Sequence, residues 1–271
     1  MRKPDPFLTA LICAVLLATV LPCKGNATLI LEYVTDACIM VMFFMQGIKL
    51  ERRAILDNMR NWKLQGLVLA CTFLLFPLLG VTLHALAPSL LDSTIWLGVL
   101  FLCCLPSTVQ SSIALTSLAN GNVATSICAA TLSNIAGIFI TPVLVSIVLH
   151  TQGVWSAQAI VAIAVQLLLP FVAGQLFQPI FHKWAHRNKK IISITDRSSI
   201  LLVVYTAFSH AVVEGIWSKI DFQSIVVLAA IDVGLLLLVL MITLLLGKAA
   251  GFLPRDEISL ILCGSKKSLA S

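Results

Sequence analysis

Charge is what this chain lacks. Only 11% of its 271 residues are Asp, Glu, Lys or Arg, where soluble domains carry about 25%, and that shortage excludes an ordinary water-exposed surface. Acidic residues are the scarcer sign, 12 against 18 Lys and Arg, for a formal net charge of +6. The excess does not make a nucleic-acid footprint, because the basic residues are spread over separated loops instead of covering one face. Catalytic motifs are missing too. There is no His-Glu-x-x-His, no Gly-x-x-x-x-Gly-Lys-Ser/Thr and no Gly-x-Ser-x-Gly, so no enzyme and no cofactor is expected. The eight cysteines offer no zinc spacing. All but Cys23 fall in apolar runs, where cysteine behaves as a small hydrophobe, so neither a metal nor a disulfide framework is assigned.

What the chain has is long apolar runs. Hydrophobic residues make up 59% of it and the mean hydropathy is +1.01. About 20 apolar residues cross the hydrocarbon core, and runs of that kind cover 7–22, 28–48, 64–86, 94–119, 122–149, 157–178, 198–214 and 223–247, with a ninth beginning near Glu257. The expected class is an all-α polytopic membrane protein in a lipid bilayer.

Loop charge gives the orientation. With the N-terminus cytoplasmic, the inner segments hold Arg2 and Lys3, the basic loop 49–63, the basic loop 181–197, then Lys248 and Arg255, while the outer loops hold only Lys24 and Lys219. That is the positive-inside pattern. Arg2 and Lys3 ahead of an apolar run also fit a secretory signal; the repeat count below favours a spanning helix. Short loops and compact length point to a bacterial inner membrane.

Two polar stretches interrupt apolar segments: CCLPSTVQSS (Cys103 to Ser112) and LCGSKKSLAS (Leu262 to Ser271). Each follows roughly ten apolar residues, and an offset of 159 places Cys104 on Cys263. Backbone freed from helical bonding in a bilayer survives only where it is buried in protein or lines a watery cavity. Five segments per repeat, an odd number, would give two halves of opposite orientation, 1–149 and 150–271, with the interrupted fourth and ninth segments equivalent. That is the inverted-repeat plan of secondary transporters.

The breaks supply the candidate site. Ser107, Thr108, Gln110, Ser111 and Ser112 offer oxygens at the first, and Ser126, Thr131, Ser133 and Asn134 follow on the fifth segment. Hard cations take such ligands. Lys266 and Lys267 at the second break repel cations, favour anions, or stand in for a bound cation, and a lysine at mid-bilayer costs about 2.5–3.5 kcal/mol by insertion scales. Asp36 and Asp232 are the carboxylates well inside apolar runs. Asp232 is the candidate proton relay, its bland alternative a structural hydrogen bond. Pro77, Pro142 and Pro170 should kink their helices. Gln46 and Gly47 end the second segment, where glycine allows close backbone approach or a helix end.

FFMQGIKL (Phe43 to Leu50), LPSTVQSSIALTSLANGNVATS (Leu105 to Ser126) and CGSKKSLAS at the end resemble the bile acid:sodium symporter superfamily, in its symporter-like orphan (SBF-like) branch. The resemblance runs along the whole chain. It implies ten helices in a panel domain (one, two, six, seven) and a core domain (three to five, eight to ten), with discontinuous helices four and nine crossing near the membrane centre. It also implies that this chain is incomplete at its C-terminus, lacking helix ten. Where the sodium-coupled bile acid transporters carry a glutamate this chain reads Leu262 or Cys263. Their glutamine and asparagine become Lys266 and Lys267, and another asparagine becomes Ile113. Ser112 and Ser126 match sodium-site positions and Thr131 lies near another.

The function these observations support is secondary active symport of a small organic anion or ion by alternating access, with Na+ or H+ as candidate coupling ions and bile-acid-type sodium coupling disfavoured. Two alternatives stay open: a membrane regulator of ion, including calcium, homeostasis that does not transport, and a cation/proton antiporter on the same plan. Substrate and oligomeric state do not follow from the residues.

Overall fold

The structure is a computed structural model and describes residues 6–49, 61–150, 157–215 and 221–267. Among the described residues it is helical, with one isolated two-residue β-bridge. In order come α1 (Pro6–Val20), α2 (Asn26–Lys49), α3 (Trp62–Ala70), a π-turn (Cys71–Leu75), α4 (Phe76–Leu86), α5 (Ser93–Cys104), α6 (Gln110–Leu118), α7 (Val123–His150), α8 (Ala157–Arg187), α9 (Lys189–Val213), α10 (Phe222–Ala249) and α11 (Pro254–Gly264).

Five stretches are long and apolar enough to cross a bilayer: Asn26–Ile48, Trp62–Leu86, Val123–Leu149, Lys190–Val213 and Phe222–Ala249. Shorter apolar helices cover Phe7–Val20, Ser93–Cys104 and Val165–Phe181. Along α10 the large side chains of Val233, Leu237, Met241 and Leu245 are all exposed, a stripe that water would penalise and lipid accepts. This is a polytopic membrane protein.

One expectation is corrected. The stretch 181–197, read as a basic loop, is helix almost throughout: α8 continues to Arg187, α9 starts at Lys189, and only Asn188 lies between. Hydropathy marks where a helix enters lipid, not where its hydrogen bonds stop. Pro170 and Pro179 lie inside α8 without ending it. Most of the other basic loop, 49–63, lies outside the described residues.

The chain divides into two compact units, each discontinuous in sequence: Met1–Glu51 with Val165–Asp221, and Arg52–Ala164 with Phe222–Ser271. In the first, α9 packs on both α1 and α2. Tyr205 donates to the Leu21 carbonyl at 2.8 Å, the Cys23 amide to Ser209 Oγ at 2.6 Å, and Thr35 and Thr206 share a buried hydroxyl contact at 2.9 Å. The run 7–22 is thus an integrated helix of this unit. Where α2 meets α8, Gly47 and Gly174 face each other. A β-carbon on Gly174 would collide with the Phe44 carbonyl and one on Gly47 with that of Phe171, so Gly47 serves close approach, as small residues do between membrane helices.

In the second unit α5 packs against α4 and α7, and α11 against α10, α7, α3 and α6. Trp96, Val99, Cys103, Leu235 and Val239 form one core cluster, and Leu64, Val68, Ala129, Leu260 and Cys263 another. These clusters fix the two broken helices.

Candidate functional site

Both breaks lie in the second unit. α5 ends at Cys104, the chain extends through Leu105 (φ −74°, ψ 157°), and α6 resumes at Gln110. α11 ends at Gly264, and Lys267, three residues on, meets the first break in an isolated antiparallel bridge with Ser107. The first break lodges against α7 because Gly137 has no side chain: a β-carbon there would come within 2.9 Å of Pro106.

Each break satisfies backbone groups that the other has freed. Ser107 Oγ donates to the Cys263 carbonyl at 2.5 Å and Ser112 Oγ to the Leu262 carbonyl at 3.0 Å. Those are among the last carbonyls of α11, which have no helical donor of their own. In return Lys267 Nζ donates to the Cys103 carbonyl at 2.9 Å and the Leu105 carbonyl at 2.7 Å, at the end of α5. Its third bond goes to the Thr72 carbonyl at 2.5 Å, inside the π-turn, where the Phe76 amide reaches back to Cys71. Pro77, expected to kink, sits in the first turn of α4 directly after that turn; its missing N–H is the local reason the ladder is irregular.

Hydroxyls extend the contact. The Ser107 amide donates to Ser133 Oγ at 3.1 Å; Thr108 Oγ1 meets Ser112 Oγ and accepts from Ser111 Oγ, both at 2.8 Å; Thr116 Oγ1 meets Ser126 Oγ at 2.9 Å. Ser107, Ser112, Thr116, Ser126 and Ser133 are all fully buried.

Beside the crossing lies a cavity of about 340 Å³, walled by Leu102, Phe76 and Leu235 on its apolar sides and by Thr108, Ser111, Asp232 and Ser265 to Lys267 on its polar ones. Lys266 Nζ and Ser265 Oγ are buried without a hydrogen-bond partner. Asp232 forms no ion pair with either lysine among the described residues.

The structure therefore gathers most of the residues the sequence singled out. Ser107, Thr108, Ser111, Ser112 and Ser126 join one network, and Lys266, Lys267 and Asp232 share one cavity. Thr131 is exposed on α7 and does not border the cavity: five residues from Ser126 turn it about 140° away on a helix of 3.6 residues per turn. The amide oxygen of Asn134 is buried without a partner and does not border the cavity. Gln110 opens α6, but its side chain lies outside the described residues. Asp36 is exposed on α2 in the other unit. There Glu32 Oε1 meets His210 Nε2 at 2.8 Å.

Sequence reasoning missed Thr72, Phe76 and Asp256. Thr72 acts through its carbonyl, which no side-chain pattern announces. Asp256, in the first turn of α11, accepts from Asn122 Nδ2 at 2.8 Å, Thr125 Oγ1 at 3.4 Å and Asn61 Nδ2 at 3.4 Å. Asn122 in turn caps α7 by accepting the Thr125 amide at 3.2 Å. The signal was the Asn-Gly-Asn of the α6–α7 turn, where Asn120 adopts φ +58°, a left-handed conformation that asparagine tolerates.

A polytopic helical protein with two paired helix breaks beside a small cavity belongs to the class of membrane transporters. More particularly, the chain belongs to the SBF-like CPA transporter family (DUF4137), which it matches over residues 5–271. It is 46% identical over 270 residues to "Uncharacterized protein PA2026" of Pseudomonas aeruginosa, covering 99% of this chain and 81% of that one. It is 45% identical over 271 residues to "Putative symporter YfeH" of Escherichia coli (strain K12), covering 100% and 82%. To "Sodium/bile acid cotransporter 7-B" of Xenopus laevis it is 25% identical over 240 residues, covering 87% and 70%.

Proposed function

We propose that this protein is a secondary active symporter of a small organic anion, with the solute held at the crossing of the two breaks. The observation that carries the reading is Lys266, whose amine is buried without a partner at a cavity wall. A buried polar group left unpaired costs about 1–3 kcal/mol, and a charged one more, so a carboxylate or similar anion recovers free energy by binding there. Ser265, whose hydroxyl is also unpaired, adds a donor on the same wall. A cavity of about 340 Å³ is at the lower end of ligand sites, which run from about 300 to 1,000 Å³, and suits a small solute.

The two compact units support a reading as panel and core, with the core moving against the panel to expose the crossing to each side in turn, and the spacing of the breaks supports the inverted repeat. The loop charges support a cytoplasmic N-terminus in a bacterial inner membrane. Na+ or H+ remains the candidate driving ion. The names of the Escherichia coli and Xenopus laevis relatives support symport. Cation/proton exchange is the second reading, favoured by Asp232 on the same cavity wall; there Asp232 would carry the proton.

The test is uptake by the full-length protein in proteoliposomes, with an imposed sodium or proton gradient and a panel of small carboxylates and inorganic ions. Gradient-driven uptake of an anion, lost in Lys266→Ala, is the expected result. Cation exchange lost in Asp232→Asn would replace it with the second reading. No flux of any solute by folded protein would instead favour a membrane regulator of ion homeostasis.

A further inference from the structure

The environment of Lys267 differs from that of a lysine awaiting an anion. Its Nζ donates to three backbone carbonyls, Thr72, Cys103 and Leu105, at 2.5, 2.9 and 2.7 Å. It also lies 4.5 Å from the centre of the Phe76 ring and 5.8 Å from that of Phe73. Three acceptors and a π-face match an ammonium, which has three donors and no acceptor; a neutral amine would leave one of these carbonyls without a donor. Each carbonyl is available because a helix is irregular at that point, at the π-turn and at the α5 break. No carboxylate joins the cage: among the described residues Lys267 makes no ion pair.

A ring of carbonyl oxygens is what replaces the hydration shell of a monovalent cation in a membrane protein. We infer that the carbonyls of Thr72, Cys103 and Leu105 form a monovalent-cation site whose occupant is the chain's own Lys267 ammonium. The crossing then carries a fixed positive charge, and no coupling cation binds at that place in the native protein. This assignment does not depend on which solute is carried, because it is read from stability and not from flux.

The experiment uses the purified full-length protein in detergent and follows its Tm in sodium, potassium, methylammonium and choline chlorides at equal ionic strength. Native protein should show the same Tm in potassium, methylammonium and choline, and a sodium rise from a coupling ion bound elsewhere should be shared by both variants. Lys267→Ala, with the cage emptied, should melt about 5 °C lower or more in choline and recover saturably in sodium, potassium or methylammonium, by roughly 3 °C at ten times the half-saturating concentration. Lys267→Met, which fills the space without charge, should melt below the native protein and respond to no cation more than the native protein does. Three results would overturn the assignment: a saturable potassium or methylammonium response in the native protein, a Lys267→Met variant as stable as the native one, or a folded Lys267→Ala variant that responds to no cation more than the native protein does. If Lys267→Ala folds only when one of the small cations is present during purification, the assignment stands; if no cation restores folding, it falls.

Discussion

The two helix breaks differ in what they bring to their meeting. The first, Leu105 to Val109 with the start of α6, brings neutral hydroxyls: Ser107 and Ser112 donate to the Cys263 and Leu262 carbonyls. The second brings a cation, Lys267, which donates to the Cys103 and Leu105 carbonyls. Each end is closed by the other's side chains, so neither break is stable alone in a medium without water. The difference teaches where charge sits at the crossing. It rests on one side only, and of two consecutive lysines on that side one is fully engaged and the other is not.

Five substitutions break or sharpen this comparison. Lys267→Met strands three carbonyls, at about 1–3 kcal/mol each when buried, and should be the most destabilising, lowering stability by about 3 kcal/mol or more by thermal melting. Gly174→Ala, in the other unit, forces a β-carbon against the Phe44 carbonyl and should cost about 2 kcal/mol by overpacking; its solute response should be unchanged, which separates lost stability from lost site. Ser107→Ala removes the fully buried donor to Cys263 and should cost about 1.5 kcal/mol, near the upper end measured for hydrogen bonds between membrane helices. Lys266→Ala deletes an unpaired amine, so Tm should stay or rise while binding at the cavity is lost, by differential scanning against candidate solutes. Thr131→Ala, on the exposed side of α7, should change stability by less than about 0.5 kcal/mol and leave uptake intact.

Much of this was legible in the sequence. A polar run of Pro, Ser, Thr and Gln after ten apolar residues has no place in a continuous lipid-facing helix, and the break at Leu105 follows. The second break was announced by Gly-Ser-Lys-Lys in the same way. The hydroxyl network was legible as a group but not residue by residue, since Thr131 and Ser133 differ only in the direction they face along α7.

What was not legible depends on backbone. The π-turn lies in Cys-Thr-Phe-Leu-Leu, a sequence with almost nothing polar, and its contribution is a carbonyl. Nor could adjacency separate Lys266 from Lys267: both border the cavity, yet Lys267 is bonded to three carbonyls while the Lys266 amine has no partner. The basic stretch 181–197 misled because charge was taken for a loop, when helix ends carry charge readily at a membrane surface.

The central claim is that the crossing holds an anion on Lys266 while Lys267 serves the fold. Its most direct test is calorimetric binding of a panel of small carboxylates and inorganic anions to the full-length protein in detergent, beside Lys266→Gln. The account predicts saturable binding of at least one anion by the native protein, lost in Lys266→Gln while the variant melts at or above the native temperature. Equal binding by native protein and Lys266→Gln, or binding of cations alone, would contradict it.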